Sequence, residues 1–349
     1  MKNACSTFAP EQLSADMDTD DIHGRDANDR SGLRTPVLSI ICVNWNSMQY
    51  LVDCLESAYS NPPDASFEII VVDNASTEGG ADSLIERFPL VRLIQSDRNL
   101  GFAAANNLGF RHSSGEYILL LNPDTVVIGS ALTLMLNGFC THPDAGIVGC
   151  KLLNSDGSIS TTSIQKFPTI LNQMFTAEWL RLRLPSFSLW NIAPLFSENH
   201  SPVKVEVIPG ACLMLKRKAF ESAGLLTEDY FMYAEDIDIN FKVRKHGFSS
   251  YYVGDAQIIH HGGRSSDQQP LSQWSTVMMQ RAMLRYFRIN HGVLYAAAYR
   301  AMMGLSASVR LFLLYVLLPI GKKHRIKWAI AKWRVILRWA LGLERTETN

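Results

Sequence analysis

Short apolar runs that end abruptly in polar residues organise this chain. Val37 to Val43 (VLSIICV), Phe67 to Val72 (FEIIVV) and Tyr117 to Leu121 (YILLL) are too brief and too uninterrupted for amphipathic helices, and read as strands buried on both faces. Between them Leu51, Cys54, Leu55 and Ala58 recur at helical spacing behind Ser47, a candidate cap, and Leu84, Ile85 and Phe88 mark a second helix before a short strand at Val91 to Ile94. Strands alternating with helices of this size predict βαβ units and a largely parallel sheet.

Further along, Ile147 to Leu153 reads as a strand, and so does Val205 to Leu215, interrupted by Pro209-Gly210-Ala211. A helix beginning near Glu235-Asp236 pairs Ile237 with Phe241 and Ile239 with Val243 before stopping at Gly247. Phe248 to His260 forms a last strand. The segment 160–204, with Trp179, Trp190 and four prolines, is long enough to be a functional insertion that covers the site or meets an acceptor. The chain divides into three domain-scale regions: a polar, Asp-rich 1–35 expected to be disordered, an α/β body over 36–270, and a helical 271–349.

The polar ends of the strands carry the candidate chemistry. Asn44 and Asn46, Asp73, and Asn122-Pro-Asp124 each stand where an apolar strand stops, and a parallel sheet gathers such ends on one rim. Each has a plainer reading as a cap or turn. Neither GxGxxG nor GxxxxGK[ST] occurs, so a diphosphate at this rim needs another source of neutralisation, and a cation on Asp124 supplies one.

Composition adds two points. The chain has 349 residues, 47% hydrophobic and formally uncharged, yet 281–349 holds thirteen Lys/Arg against only Glu344 and Glu347. That asymmetry points to a surface contact and away from general nucleic-acid binding. The six cysteines lie far apart without a CxxC pair and are expected to be buried free thiols. No apolar stretch suited to a signal peptide opens the chain, which places the body in the cytoplasm by expectation.

Taken in order, VNWNS, EIIVVDNAS, RNLGFAAANN, ILLLNPDT, IPGACLMLKRKAF, YFMYAEDIDI and HHGGRSS resemble the family 2 inverting, nucleotide-sugar-dependent glycosyltransferases, and within it the rhamnosyltransferase-like branch. The resemblance spans Val37 to Ser266. It implies an α/β GT-A (Rossmann-like) fold, a mainly parallel sheet flanked by helices, here followed by a helical, basic, amphipathic extension. It further implies that Asn44, Asn46 and Asp73 hold the nucleotide, and that Arg98, Asn99, Gly101 and Asn122 lie near the diphosphate and donor sugar. Asp124 and His260 would hold Mg2+ or Mn2+, and Arg264 and Ser265 could meet the phosphates. Gly210, Ala211 and Tyr233 would face the acceptor, with Asp236 as general base beside Glu235.

Some of these positions keep a second reading: Asn99 as the cap of an ordinary helix, Gly210 as a strand bend, His260 as a structural hydrogen-bonder, and Asp238 as a first-turn acid favoured by the helix dipole. Asn122 departs from the family's usual pair of metal-site acids, which puts metal affinity in question and raises the alternative of an inactive adaptor that keeps the fold. The expected reaction moves L-rhamnose from dTDP-rhamnose, or a hexose or galactofuranose from a UDP donor, onto a glycan or polyprenyl-diphosphate-linked acceptor. In the tail, Leu311 to Ile320 is strongly apolar but shorter than a membrane span. Ile326, Ala329, Ile330, Trp333, Leu337 and Leu341 form one helical face, expected either to lie on the inner leaflet of the cell membrane or to pack on protein.

Overall fold

The computed structural model describes residues 35–160, 164–174, 202–262, 273–318 and 323–343. The disorder expected for the N-terminal segment, most of the insertion, and Arg264 and Ser265 lie outside the described residues.

The chain begins with β1 (Leu38–Asn44), α1 (Met48–Ser60), β2 (Phe67–Asp73), α2 (Ala81–Arg87), β3 (Arg92–Gln95), α3 (Gly101–Arg111) and β4 (Tyr117–Leu121). β3, β2, β1 and β4 lie side by side, all parallel. Alternate residues point to opposite faces of each strand. Leu38, Ile40 and Cys42 of β1 enter a core shared with α1 and with α4 (Ala131–Thr141), while Ile41 enters a second core with Ala103 and Phe110 of α3. Both faces are covered, which is why these strands read as continuous apolar runs.

The order then changes. β5 (Thr125–Ile128) follows β4 after three residues, and β6 (Ala145–Leu153) follows α4; a short helix, α5 (Ile170–Met174), and β7 (Val203–Val205) precede β8 (Cys212–Lys216). β8 enters between β4 and β6, antiparallel to both. The sheet is therefore mixed, and the predicted Val205-to-Leu215 strand is two strands, with Pro209-Gly210-Ala211 in the link between them. α6 (Arg217–Ser222) and α7 (Glu235–Lys245) pack on the α3 side.

The long β9 (Ser249–His260) runs parallel to β6 and closes the order β3-β2-β1-β4-β8-β6-β9-β5. Its register jumps: Val253 faces Cys150 but Gln257 faces Lys151, leaving Gly254, Asp255 and Ala256 over as a bulge. A bulge bends the strand that carries it. The remaining end of β9 pairs with β5, Thr125 opposite His260, so the last strand of the sheet is brought to the loop that leaves β4.

Three helices complete the described chain: α8 (Gln273–His291), α9 (Val293–Leu317) and α10 (Lys323–Ala340). Their core holds Tyr286, Phe287, Tyr299, Met303, Ile336 and Trp339, joined by Val207, Tyr230, Ala234 and Ile237 of the sheet-bearing body. Two sequence expectations change here. The apolar run from Leu311 is the end of a 25-residue helix, long and apolar enough by composition to cross a membrane. In α10, Ile330, Ile336 and Trp339 are the buried side chains and Leu341 is exposed, so of the two expectations for the apolar face it is packing on protein, against α8 and α9, that the fold shows for Trp333 and Leu337.

Candidate active site

The rim at the carboxyl ends of β1, β2 and β4 is held together by hydrogen bonds that run from one strand end to the next. Asn44 is fully buried: its Nδ2 donates to Asp73 Oδ1 and to Ser76 Oγ, both at 3.0 Å, while its Oδ1 accepts from the Ser47 amide. Asn44 thereby holds Asp73, whose Oδ2 receives a long bond from the Ser76 amide. Asn46 is similarly occupied, because its Oδ1 accepts from the amide and hydroxyl of Thr77 and its own amide donates to Ser76 Oγ. Its positive φ of 50° fits this loop-to-loop bridge. Ser47 stands at the start of α1 without a side-chain capping bond; Glu78 Oε1 accepts from the Met48 amide instead.

At the donor loop the plainer reading of Asn99 is the geometry found. Its Oδ1 accepts from the Gly101 amide at 2.9 Å and from Asn74 Nδ2, while Asn74 Oδ1 accepts from the Leu100 amide. Gly101 has φ +78° and a Cβ placed there would stand 2.6 Å from the carbonyl oxygen of Phe231. Close approach is indeed what the glycine permits, and the group that approaches here is the loop before α7. Phe102 N–H donates to the same carbonyl at 3.1 Å. Arg98 stays exposed beside this junction.

Asp124, buried to 8% exposure, lies with its Oδ1 3.3 Å from His260 Nε2, and Asn122 Nδ2 is 3.5 Å from the same nitrogen. The His261 amide donates to the Asp124 carbonyl, and Thr125 Oγ1 to the Asn122 carbonyl, which fixes the Asn-Pro-Asp turn against β9. The turn and the ligand readings are therefore compatible. One carboxylate, one imidazole nitrogen and one amide converge here, and turning the amide over presents its oxygen. Among the described residues no three His, Cys, Asp or Glu side chains cluster. Such a set suits a divalent ion that keeps several positions for diphosphate oxygens and water.

Across the rim, Asn122 N–H donates to Ala211 O at 3.0 Å, and Gly210 N–H donates to Asp236 Oδ2 at 3.0 Å. Ala211 is buried and takes part through its backbone; Gly210 lies against the Asp236 side chain and Phe102. Tyr233 and Ala234 both adopt positive φ, 72° and 66°, a costly turn that aims the first residues of α7 at the cleft. Burial raises the Tyr233 hydroxyl pKa.

Glu235 and Asp236 are the two acids at this helix start. Burial pushes Glu235 up to about 8, helped by the charge of Asp236, and its Oε2 is buried without a partner among the described residues. Burial also raises Asp236, opposed by the amides of Gly210 and Ile237 that stabilise its charge. The amides of Gly210 and Ile237 favour the charged form of Asp236, whereas Glu235 Oε2 has no such partner among the described residues.

Asp238, one turn on, faces away from the cleft. Fully buried, it accepts from Thr227 Oγ1, Tyr230 OH and Asn290 Nδ2, tying α7 to α8. Asn240 is not among the sequence candidates, although a lone amide on the apolar side of a helix is a readable signal. Its side chain bonds both backbone groups of Ile208, 3.1 Å to N and 2.9 Å to O, and so sets the Gly210 loop against Asp236. A cavity of about 610 Å³ lies elsewhere, between α1 and α2, lined by Tyr59, Arg87, Phe88 and Leu90 among others.

With this geometry in hand, residues 39–223 match the family model described as Glycosyl transferase family 2. The chain belongs to glycosyl transferase family 2. This glycosyltransferase is 29% identical over 255 residues to the N-acetylglucosaminyl-diphospho-decaprenol L-rhamnosyltransferase of Mycobacterium tuberculosis (strain CDC 1551 / Oshkosh), covering 68% of this chain and 80% of the relative. Rhamnosyltransferase WbbL of Escherichia coli (strain K12) is 24% identical over 240 residues, 64% and 82% of the two chains. Among solved structures, the mannosyltransferase PcManGT from Pyrobaculum calidifontis, in complex with GDP-Man and Mn2+, superposes with a TM-score of 0.55 at 16% identity, over 90% and 89% of the chains. The expected GT-A-like α/β architecture is thereby borne out, with a mixed sheet and a helical C-terminal region.

Proposed function

We propose that this glycosyltransferase transfers L-rhamnose from dTDP-rhamnose, with inversion, onto a hydroxyl of a lipid-linked glycan at the inner face of the cell membrane. The observation that supports the reading is the rim itself: along one edge of the sheet Asp73 is held by Asn44, Asp124 stands beside His260, Asn122 bonds Ala211, and the neighbouring Gly210 amide bonds Asp236. The rhamnosyl donor and the decaprenyl-linked acceptor come from the likeness to the M. tuberculosis relative.

Asp73, held by Asn44, accepts from the ring N–H of thymine, and Arg98 reaches the phosphates from its exposed position. Asp124 and His260, with Asn122, would hold Mg2+ or Mn2+, which would supply positive charge to neutralise a diphosphate leaving group. Asp236 takes the proton of the acceptor hydroxyl as that oxygen bonds to the anomeric carbon from the face opposite the phosphate, whose bond to the carbon breaks. Glu235, protonated, keeps a second negative charge off the approach path.

Incubating the purified chain with dTDP-rhamnose, UDP-glucose, UDP-galactose and UDP-galactofuranose, with Mn2+ or EDTA, tests the reading. Metal-dependent release of dTDP is expected to exceed release of UDP. Preference for a UDP donor overturns the rhamnose assignment. Release of neither by a chain that binds nucleotide favours the non-catalytic adaptor. Asp236→Asn is expected to lower kcat by roughly two to four orders of magnitude while nucleotide affinity holds.

A further inference from the structure

Helix α9 presents a long face that nothing in the described fold covers. Leu294, Leu305, Val309, Phe312, Leu313 and Val316 are each half or more exposed, and Ala297, Ala298 and Ala301 continue the same side. The spacing of three and four makes a single stripe, about 33 Å long at 1.5 Å per residue. Scattered exposed leucines need no explanation; a contiguous stripe of this length does.

The charges of the helix avoid it. Arg300 and Arg310 are the only charged residues of α9. Arg300 turns inward, donating to the carbonyls of Trp339 and Ala340 at the end of α10, and Arg310 lies 4.2 Å over the ring of Trp333 and donates to Met174 O. The opposite face of α9 is filled by Tyr299, Met303, Ala307 and Leu311 in the bundle core. One side is thus protein and the other uncharged.

We infer that the outer face of α9 lies in the acyl region of an anionic lipid bilayer, with the helix parallel to the surface. Three candidates could cover such a stripe: lipid, a second copy of the chain, or another protein. Charge decides among them. Residues 281–349 carry thirteen cations against two anions, and Arg334 of α10 sits at the margin of the stripe over the ring of Tyr315. Pairing two copies brings two cationic C-terminal regions together, whereas anionic headgroups supply the missing counter-charge. Tyr315 beside an apolar band suits the headgroup boundary. Because one side of α9, with Tyr299, Met303 and Ala307, is committed to the bundle core, the helix lies on the membrane and does not cross it.

The inference moves the membrane contact from α10, where the sequence pattern puts it, to α9. It deepens the lipid-linked-acceptor reading and rests on it for its setting; donor hydrolysis in water fails or succeeds separately.

The full chain is floated with vesicles of phosphatidylcholine, with and without phosphatidylglycerol, and compared with the Leu305→Glu/Phe312→Glu variant. Wild type is expected to float with anionic vesicles. The variant, with unchanged circular dichroism and unchanged donor hydrolysis, is expected to lose binding on the order of tenfold or more. A fluorophore on Phe312→Cys is expected to shift to shorter wavelength with vesicles, and one on Leu171→Cys of α5 to stay unshifted. Equal flotation of the variant, or a Phe312→Cys probe that remains in water, overturns the inference. So does a wild-type dimer that the variant dissolves without any vesicle binding, which assigns the face to a second copy. Resistance to alkaline carbonate extraction from cell membranes also overturns it, in favour of a crossing helix.

Discussion

Replacing Glu235 by glutamine makes the sharpest test of how the two acids at the start of α7 divide their protons. Burial pushes Glu235 up to about 8 in the folded chain, against an ordinary value of about 4.3 in an unfolded one. Between those values the native state keeps a proton that the unfolded chain has released. Stability is therefore fully present below about pH 4 and falls as pH rises through the folded value, by about 1.4 kcal/mol per pH unit. Across the whole window the loss comes to about 4 to 5 kcal/mol, a large share of the roughly 5 to 15 kcal/mol that typically holds a protein folded. Asp236 is raised too and adds a fall of the same sign. Glutamine cannot titrate, so the variant keeps only the Asp236 contribution, plus a pH-independent cost of about 1 to 3 kcal/mol for an amide in a site with an unpartnered oxygen. Urea midpoints at pH 6 and 8.5, without metal or nucleotide, read the difference. Wild type is expected to lose stability between the two, and the variant to lose much less. A constant gap between the two proteins at both pH values means that Glu235 is already ionised at pH 6, and refutes the division of protons.

Two other perturbations probe the joints of the site. Gly101→Ala drives a methyl into Phe231 O at a left-handed φ, so a stability loss of about 1 to 3 kcal/mol and a raised donor KM are expected, from urea melts and steady-state kinetics. Asn240→Ala leaves both backbone groups of Ile208 unpaired at a cost of about 2 to 4 kcal/mol, and frees the Gly210 amide that holds Asp236 ionised. The acid limb of its pH–rate profile is expected to move to higher pH, since losing that amide raises the base; an unmoved limb with lower kcat reduces Asn240 to a purely structural part.

The local pattern carries the parallel half of the sheet and much less of the mixed half. β1, β2 and β4 are legible because burial on both faces leaves unbroken apolar runs ending in Asn or Asp. β5 and α4 escape a local reading: four residues after a turn signal give no period, and Asn137-Gly138 interrupts the helical pattern of α4. The direction of β8 is invisible locally, because CLMLK alternates the same way read from either end. Among site residues, Asp124 can be singled out from its place at a strand end, while Asp236 and His260 are singled out only by the family resemblance. That Asn44, Asn46 and Asn99 spend their amides on neighbouring loops cannot be read locally, since their partners Asp73, Thr77, Asn74 and Gly101 depend on how separate segments meet. The sequence pattern assigns the membrane face to α10 because its amphipathic period is the cleaner; tertiary packing consumes that face and leaves α9 uncovered.

The reversal of β8 has an architectural consequence. Parallel strands leave the sheet at the rim, whereas β8 enters it there, so the backbone that walls one side of the cleft is an approach road and the opposite wall is made of exits. The stretch between Leu153 and Cys212 can lengthen or shorten on its way in without disturbing the turns after β1, β2 and β4. Under the proposed function, grafting the stretch between Leu153 and Cys212 from a relative is expected to change the acceptor that is glycosylated while the donor preference stays.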